Sequence, residues 1–389
     1  MTRHLNCIVP PHILDRLAES SDAAVREAAR QTLLTTARLR GQREVRAGLL
    51  GVSAPTNGRR SVFDCRNSTR LSNAVLVRTE QGHASSDRSV NAAFDGLGAT
   101  RQFYLEVLSR NSIDDRGMRL DGYVHRGLRY NNAFWDGQEM VFGDGDGVIF
   151  TDFTGSLDVI GHELTHGVTE FTAGLEYHNQ SGALNESISD CMGSLVKQWT
   201  LKQTAEQADW LIGPEVFTPG IEADALRSLK APGEAYDNET FGKDPQPAHM
   251  DHYVDLPDTD EGDNGGVHIN SGIPNHAFYL AAVAIGGYAW EVAGRIWYQS
   301  LRASTPTTDF AAFAQTTISK AAELYGVGGS QQTAVREAWE QVGVGTTVAA
   351  RGGTKQAAAV IPPPREELVR QFDELTAQVN RLRSELLSS

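Results

Sequence analysis

The sequence predicts an α+β chain of two lobes, a turn-rich, β-containing N-terminal lobe and an α-helical C-terminal lobe. Three observations carry this. Residues from about 50 to 157 are dense in turn signals, including GDGDG at 143–147, and hold one helical stretch, SVNAAFDGLGATRQFYLEVLSR. From 158 to about 347, apolar residues recur at helical spacing, as in NHAFYLAAVAIGGYAWEVAGRIWYQSL. With 389 residues, 40% hydrophobic and 22% charged, the chain can bury the cores of two sizeable domains.

Before the first lobe, residues 1–47 read as helical in HILDRLAESSDAAVREAARQTLLTTARLR and close on the basic stretch RLRGQREVR. The lobes are expected at 51–195 and 196–347, followed by a linker at 348–364 (RGGTKQAAAVIPPP) and an amphipathic segment at 365–389. In that segment Leu368, Phe372, Leu375, Val379, Leu382 and Leu386 form a coiled-coil-like a/d seam. So short a helix is marginal alone, which leaves packing on its own domain and self-association both open. GDGDG is read as a turn, because an EF-hand loop needs an oxygen ligand where Val148 stands.

With 49 acidic and 35 basic residues and a formal charge of -14, neither nucleic acid nor an anionic membrane is expected as a partner. Cys7, Cys65 and Cys191 form no CxxC pair and no disulfide framework. MTRHLNCIVPPHILDRLAES lacks the apolar run of a secretory signal, so the expectation is a cytoplasmic protein or export by a non-classical route.

The chemistry centres on DVIGHELTHGVTE at 158–170. On a helix, His162 and His166 are i and i+4 and point one way, which suits a zinc ion as well as an ordinary amphipathic face. A catalytic zinc needs a third protein ligand and an open position. Twenty residues on, SGALNESISD supplies Glu186, which completes a His2Glu set, and one turn later Asp190, placed to accept the free N–H of a liganding histidine. The longer pattern with a glycine and a third histidine fails, since Thr169 and Thr172 stand there.

VIGHELTHGVTEFTAGLEYHNQSGALNESISD, YNNAFWDGQEMVFGDGDG and DNGGVHINSGIPNHAFY together resemble the thermolysin family of zinc endopeptidases, collinearly from about residue 85 to 346. The resemblance implies one catalytic zinc in the cleft between the lobes, lowering the pKa of its water to about 7. It implies that Glu163 takes that water's proton, that Tyr177 and His268 donate to the oxyanion, and that Asp263 orients His268. Substrate backbone would align on Asn132 and Ala133, with Arg227 on a substrate carbonyl. The pocket after the cut would be Phe150, Phe153, Val159, Ile212, Val216 and Leu226, which implies cleavage before bulky hydrophobic residues. Phe153 stands where the family often has leucine, so a shallower pocket is expected.

Where the family binds paired calcium, Asp158 and Asp209 match, but Lys197, Leu211 and Pro214 replace carboxylate ligands. An ammonium there repels dications, so no double calcium site is expected, while Thr218 and Asp224 leave room for a lone one. CIVPPHILDRLA and GKDPQPAHM resemble the protealysin-type subgroup, which implies a short inhibitory prosegment at 1–47 lying in the cleft. Pro10 and Pro11 favour an extended backbone, and Cys7 is a candidate thiolate lid on zinc, against a packed thiol or a contact through His12. The chain thus reads as a zymogen of a neutral endopeptidase acting on peptides and proteins, cut near GQREVRAG at 41–48. The rivals are an inactive peptide-binding relative, which needs none of Glu163, Tyr177 and His268, and an aminopeptidase, which needs an acidic anchor that no motif supplies.

Overall fold

A computed structural model describes residues 6–47 and 59–345, with side chains from 7 to 39 and from 59 onward. The linker and the a/d seam at 365–389 lie outside the described residues.

The N-terminal segment opens with β1 (Asn6–Cys7), α1 (Pro11–Leu17) and α2 (Ala23–Ala47). Pro10 is the extended N-cap of α1 and Pro11 its first residue, where a missing N–H is harmless. Next come β2 (Arg60–Asp64), β3 (Val75–Thr79), α3 (Arg88–Leu108), β4 (Leu120–Val124), β5 (Ala133–Trp135) and β6 (Glu139–Phe142). They form one mixed sheet in the order β1-β5-β6-β4-β2-β3, with β2 parallel to β4 and β4 parallel to β6. Strand β1 is antiparallel to β5 at the sheet's edge, pairing Asn6 with Trp135 and Cys7 with Phe134.

GDGDG is a turn. Asp146 Oδ1 accepts the N–H groups of Val148, Ile149 and Phe150 at 2.9, 2.7 and 3.1 Å. Gly145 has φ +71°, and a Cβ there would meet Phe150 O at 2.3 Å.

Helices α4 (Leu157–Glu170) and α5 (Asn179–Leu201) pack along each other. Helix α4 is buried continuously from Asp158 to Thr169, which rules out an amphipathic surface helix. A Cβ on Gly193 would lie 2.4 Å from the Asp158 carbonyl oxygen, so this close crossing depends on glycine. Helix α5 continues through residue 195, where the sequence suggested a lobe boundary. The helical pattern then breaks. Residues 202–262 hold the short strands β7 (Leu211–Ile212), β8 (Arg227–Ser228), β9 (Asp237–Asn238) and β10 (Gly242–Lys243) but no α-helix, as stretches such as TPG, APGE and KDPQP dictate. Helical structure resumes with α6 (Asp263–Asn270), α7 (Gly272–Ile285), α8 (Ala293–Ala303), α9 (Phe310–Tyr325) and α10 (Ser330–Gln341).

One ionic clamp joins three parts of the N-terminal lobe. His125 Nδ1 lies 2.8 Å from Asp144 Oδ1 in the GDGDG turn, and Nε2 lies 2.8 Å from Asp87 Oδ2. Asp87 also caps α3 by accepting from Ser89 and Val90 N–H. The Asp144 hydrogen bond, opposed by burial and reinforced by both carboxylate charges, raises the His125 pKa to about 9. A histidine pKa raised on folding adds stability below its unfolded value of about 6.5, lost as pH climbs through the folded value. The melting temperature should therefore fall between pH 6.5 and 9.5. His125→Gln should lower it at pH 6.5 by about 2–4 °C, since the carboxylates are partly exposed, and should flatten the fall. An unchanged slope by calorimetry would remove His125 as its cause.

Candidate metal centre and substrate cleft

His162 and His166 project from α4 and Glu186 from α5, with one ligand atom from each lying within 4.8 Å of the others. Among the described residues this is the single such group of three or more His, Cys, Asp or Glu. The two Nε2 atoms are 2.9 Å apart, and they lie 3.5 and 3.4 Å from Glu186 oxygens. All three residues are buried.

The donors fit a cation. His162 Nδ1 is 2.8 Å from Asp190 Oδ1, and His166 Nδ1 is 2.8 Å from Asn185 Oδ1 and 3.1 Å from Ser189 Oγ. These partners place the protons on Nδ1 and aim two lone pairs at one point. Glu186 Oε2, buried beside them, has no hydrogen-bond partner. Burial, only partly offset by the Glu186 charge, lowers the His166 pKa to about 3 and keeps the ring neutral, as a ligand must be. Glu186 stays below the usual carboxylate range: burial opposes ionisation, but the surrounding positive charge, that of His268 foremost and Arg227 with it, outweighs it.

Asp190 is a hub. Besides His162, it accepts from Arg227 Nε at 2.9 Å, Arg227 Nη2 at 2.8 Å and Asn275 Nδ2 at 2.9 Å. Burial alone would raise its pKa, but Arg227 and His162 hold it well below normal.

Glu163 also faces the cleft. Its Oε2 accepts from Trp135 N–H at 3.0 Å, and its buried Oε1 has no hydrogen-bond partner. Burial, then the Glu186 charge, pushes its pKa well up. Tyr177 OH donates to Glu186 Oε1 and lies 3.2 Å from His268 Nε2. The backbone turns through positive φ from Asp263 to Gly266, bringing Asp263 back onto His268. Asp263 Oδ1 is 2.6 Å from His268 Nδ1, and Oδ2 accepts the His268 backbone N–H at 2.8 Å. Burial lowers the His268 pKa, but the charges of Asp263 and Glu186 win and raise it to about 9.

The N-terminal segment lies on these groups. Cys7 O is 3.2 Å from His268 Nε2, Ile8 N–H donates to Ala133 O at 3.2 Å, and Arg227 Nη1 donates to Ile8 O at 3.0 Å. Asn132 accepts Val9 N–H at 3.0 Å through Oδ1 and reaches Val9 O through Nδ2 at 3.5 Å. Two helix hydroxyls secure the loop before β5: Thr32 accepts Asn131 N–H at 3.1 Å, and Thr36 lies 3.1 Å from Tyr130 OH. No sequence motif marks Thr32, Thr36, Asn185, Ser189 or Asn275.

Strand alternation separates Cys7 from Ile8. The Cys7 thiol packs in an apolar cluster with Cys65, Tyr123, Tyr130, Phe134 and Val141, so it is the Cys7 carbonyl that meets His268. Ile8, fully buried, joins the apolar cluster that contains Phe150, Phe153, Val159, Ile212, Val216 and Leu226. Phe150 lies against Phe153 and Phe217, with ring centres 5.6 and 5.4 Å away. Lys197 Nζ sits 2.7 Å from Asp158 Oδ2, 3.0 Å from Asp209 Oδ1 and 3.0 Å from Leu211 O. Thr218 Oγ1 bonds Val148 O at 2.6 Å, and among the described residues Asp224 joins no group of three His, Cys, Asp or Glu.

Residues 52–170 match the family model for the thermolysin metallopeptidase catalytic domain, and 173–344 match that for its alpha-helical domain. An "Extracellular metalloprotease" of Pectobacterium carotovorum subsp. carotovorum is 48% identical over 345 residues, 88% of this chain and 97% of that protein. "Protease PrtS" of Photorhabdus sp. (strain Az29) is 50% identical over 287 residues, covering 73% and 76% of the two chains. The solved precursor of protealysin, a metalloproteinase from Serratia proteamaculans, superposes with a TM-score of 0.79 at 48% identity, covering 87% of this chain and all of that one. The expectation of a cytoplasmic protein is overturned: a relative of such identity bears an extracellular name, which points to secretion, and an apolar leader is only one sign of export. From the donor set, the two lobes and these matches, the chain belongs to the thermolysin family of zinc-dependent endopeptidases, in its protealysin-type branch.

Proposed function

We propose that this endopeptidase is a zymogen that cuts peptides before bulky apolar residues, with residues 1–47 as its inhibitory prosegment and 51–195 and 196–347 as its catalytic lobes. The observation that carries this reading is a stretch of peptide lying in the cleft, with Cys7 O at His268, Ile8 N–H on Ala133 and Ile8 O on Arg227. In this reading the Cys7–Ile8 peptide unit lies where a substrate's reacting bond would lie. The N-terminal segment uses backbone contacts that any extended peptide could make, as in strand addition to a sheet edge.

In this reading His162, His166 and Glu186 hold one zinc ion, and Asp190 fixes the first imidazole. Zinc bound there would acidify a water and polarise the substrate carbonyl. Glu163 Oε1, lacking a hydrogen-bond partner, takes the proton of the attacking water and delivers it to the leaving nitrogen beside Ala133 O. Tyr177 and His268, the latter held protonated by Asp263, donate to the oxyanion. Arg227 grips the next carbonyl and Asn132 the backbone beyond it. Phe150, Phe153, Val159, Ile212, Val216 and Leu226 would receive the side chain after the cut, where burial of apolar area sets the preference. Lys197 neutralises Asp158 and Asp209 in place of paired calcium ions. A binding-only relative would have no use for a buried carboxylate at Glu163 facing the Ile8 backbone.

Glu163→Ala should cut peptide hydrolysis by about 10²–10⁴-fold while one zinc per chain is retained in metal analysis; near-normal turnover would end this mechanism. Asp190→Asn should weaken zinc binding by about 10–100-fold in chelator competition, and unaltered affinity would relieve Asp190 of its orienting role. Removing residues 1–47 should strengthen binding of a peptide-like inhibitor by at least about tenfold, because a tethered segment competes at high effective concentration. Equal affinity before and after trimming would mean that the segment does not guard the cleft.

A further inference from the structure

The contact that turns the N-terminal strand into its first helix is made by a titratable side chain. His12 is the second residue of α1, and its Nε2 lies 2.9 Å from Tyr236 OH. The residue keeps part of its surface exposed, yet its Nδ1 is closed to solvent and has no hydrogen-bond partner. A neutral imidazole with its proton on Nε2 donates to Tyr236 and leaves only a lone pair at Nδ1, which is tolerable. An imidazolium must place a second N–H at Nδ1, where nothing accepts it, and a buried unpaired donor is expensive.

The groups around His12 make that worse. From β8, Arg227 repels an added positive charge, and so does His268 from α6. Asp263 attracts it, but its two oxygens are already committed to His268 Nδ1 and backbone N–H. Asp244, near Tyr236, is held by the N–H groups of Gly233, Ala235 and Gln246. On α1 itself, burial and Glu19 raise the pKa of Asp15, which weakens it as a counter-ion, and Arg16 adds another cation.

We propose that His12 is an acid-sensitive latch: its protonation releases the segment Ile8–Leu17 from the cleft. This rests on the reading above that the segment guards the cleft, and it adds the condition under which the guard lets go. Burial first, then His268 and Arg227, outweigh Asp263 and lower the docked His12 pKa from 6.5 to about 4. The sign follows. A group more easily protonated when released favours release as pH falls, so docking is complete above about 6.5 and weakens down to about 4. The ring's partial exposure tempers the effect to about 10- to 100-fold in the docking equilibrium.

Hydrogen–deuterium exchange on the full-length Glu163→Ala chain tests this without any catalytic readout. After correction for intrinsic rates, exchange of amides 8–17 should rise about 10- to 100-fold between pH 6.5 and 4.5, while α5 stays protected. His12→Gln, which keeps a donor for Tyr236 but cannot gain a proton, should abolish the rise. Tyr236→Phe should loosen the segment at every pH and keep the slope. An equal rise in the wild-type latch and His12→Gln would assign the effect to other groups and overturn the proposal. So would an NMR titration of full-length protein giving His12 a pKa of 6.5 or more. Hydrolysis by the trimmed chain tests the peptidase reading separately, so the two can fail independently.

Discussion

A single buried carboxylate sets the positions of the groups around this cleft. Asp190 accepts from His162 of the candidate metal centre, from two nitrogens of Arg227 and from Asn275 on α7. An isolated charge at that depth would be prohibitive, but four donors surround this one. Its position fixes the tautomer of His162 and turns the third Arg227 nitrogen outward to meet a peptide carbonyl. Because Glu186 lies one turn earlier on α5, the carboxylate facing both histidines and the one that orients His162 share one rigid element. Gly193, less than a turn farther on, lets α4 approach closely enough for both histidines to reach Glu186.

The N-terminal segment exploits the same geometry from the other side. Strand β1 is only two residues long and sits at the sheet's edge. Its hydrogen bonds replace bonds to water, so each contributes ~1 kcal/mol net. Docking therefore leans on burial of Ile8, Ile13, Leu14 and Leu17, and on the hydroxyls of Thr32 and Thr36 gripping the loop that carries Asn132. The strand supplies register and the helices supply adhesion. Such a division leaves a latch open to a small change at the junction between them, which is where His12 lies.

Much of the metal centre was legible because it is local in pattern. His162 with His166, and Glu186 with Asp190, are i, i+4 pairs, and helical periodicity alone aims each pair one way. Tyr177, His268 and Arg227 were legible only through resemblance, since nothing in their own surroundings marks a lone tyrosine, histidine or arginine. Asn185, Ser189 and Asn275 were missed for a physical reason: a neutral side chain that orients another has no required spacing, and Asn275 comes from 85 residues away in the chain. Cys7 shows the limit of residue type as a guide. Its chemistry left a thiolate lid open beside a packed thiol; alternation along β1 sends the sulfur into an apolar cluster, and the atom that meets His268 is a carbonyl any residue has. The loop-rich stretch 202–262 was hidden by averaging, because strong helices on both sides set the apparent period of the whole lobe.

Lys197 extends the same logic to the start of the catalytic helix. Asp158 is in the first turn of α4, where its charge complements the helix dipole, and it also accepts from Ser156 Oγ at 2.7 Å and Gly213 N–H at 3.1 Å. Burial works against a charged Lys197, but Asp158 and Asp209 outweigh it and raise its pKa, so the ammonium stays charged between them. A cation carried on α5 cannot dissociate, and its hold on α4 does not depend on the ions in solution. It brings one charge where two dications would bring four, and Leu211 meets it with a backbone carbonyl. The N-terminus of the helix bearing His162, Glu163 and His166 is thereby pinned by covalently attached charge at one end and by the Asp190 network along its length. Both ends of that arrangement belong to α5, so the cleft's geometry follows from how one helix is seated against another.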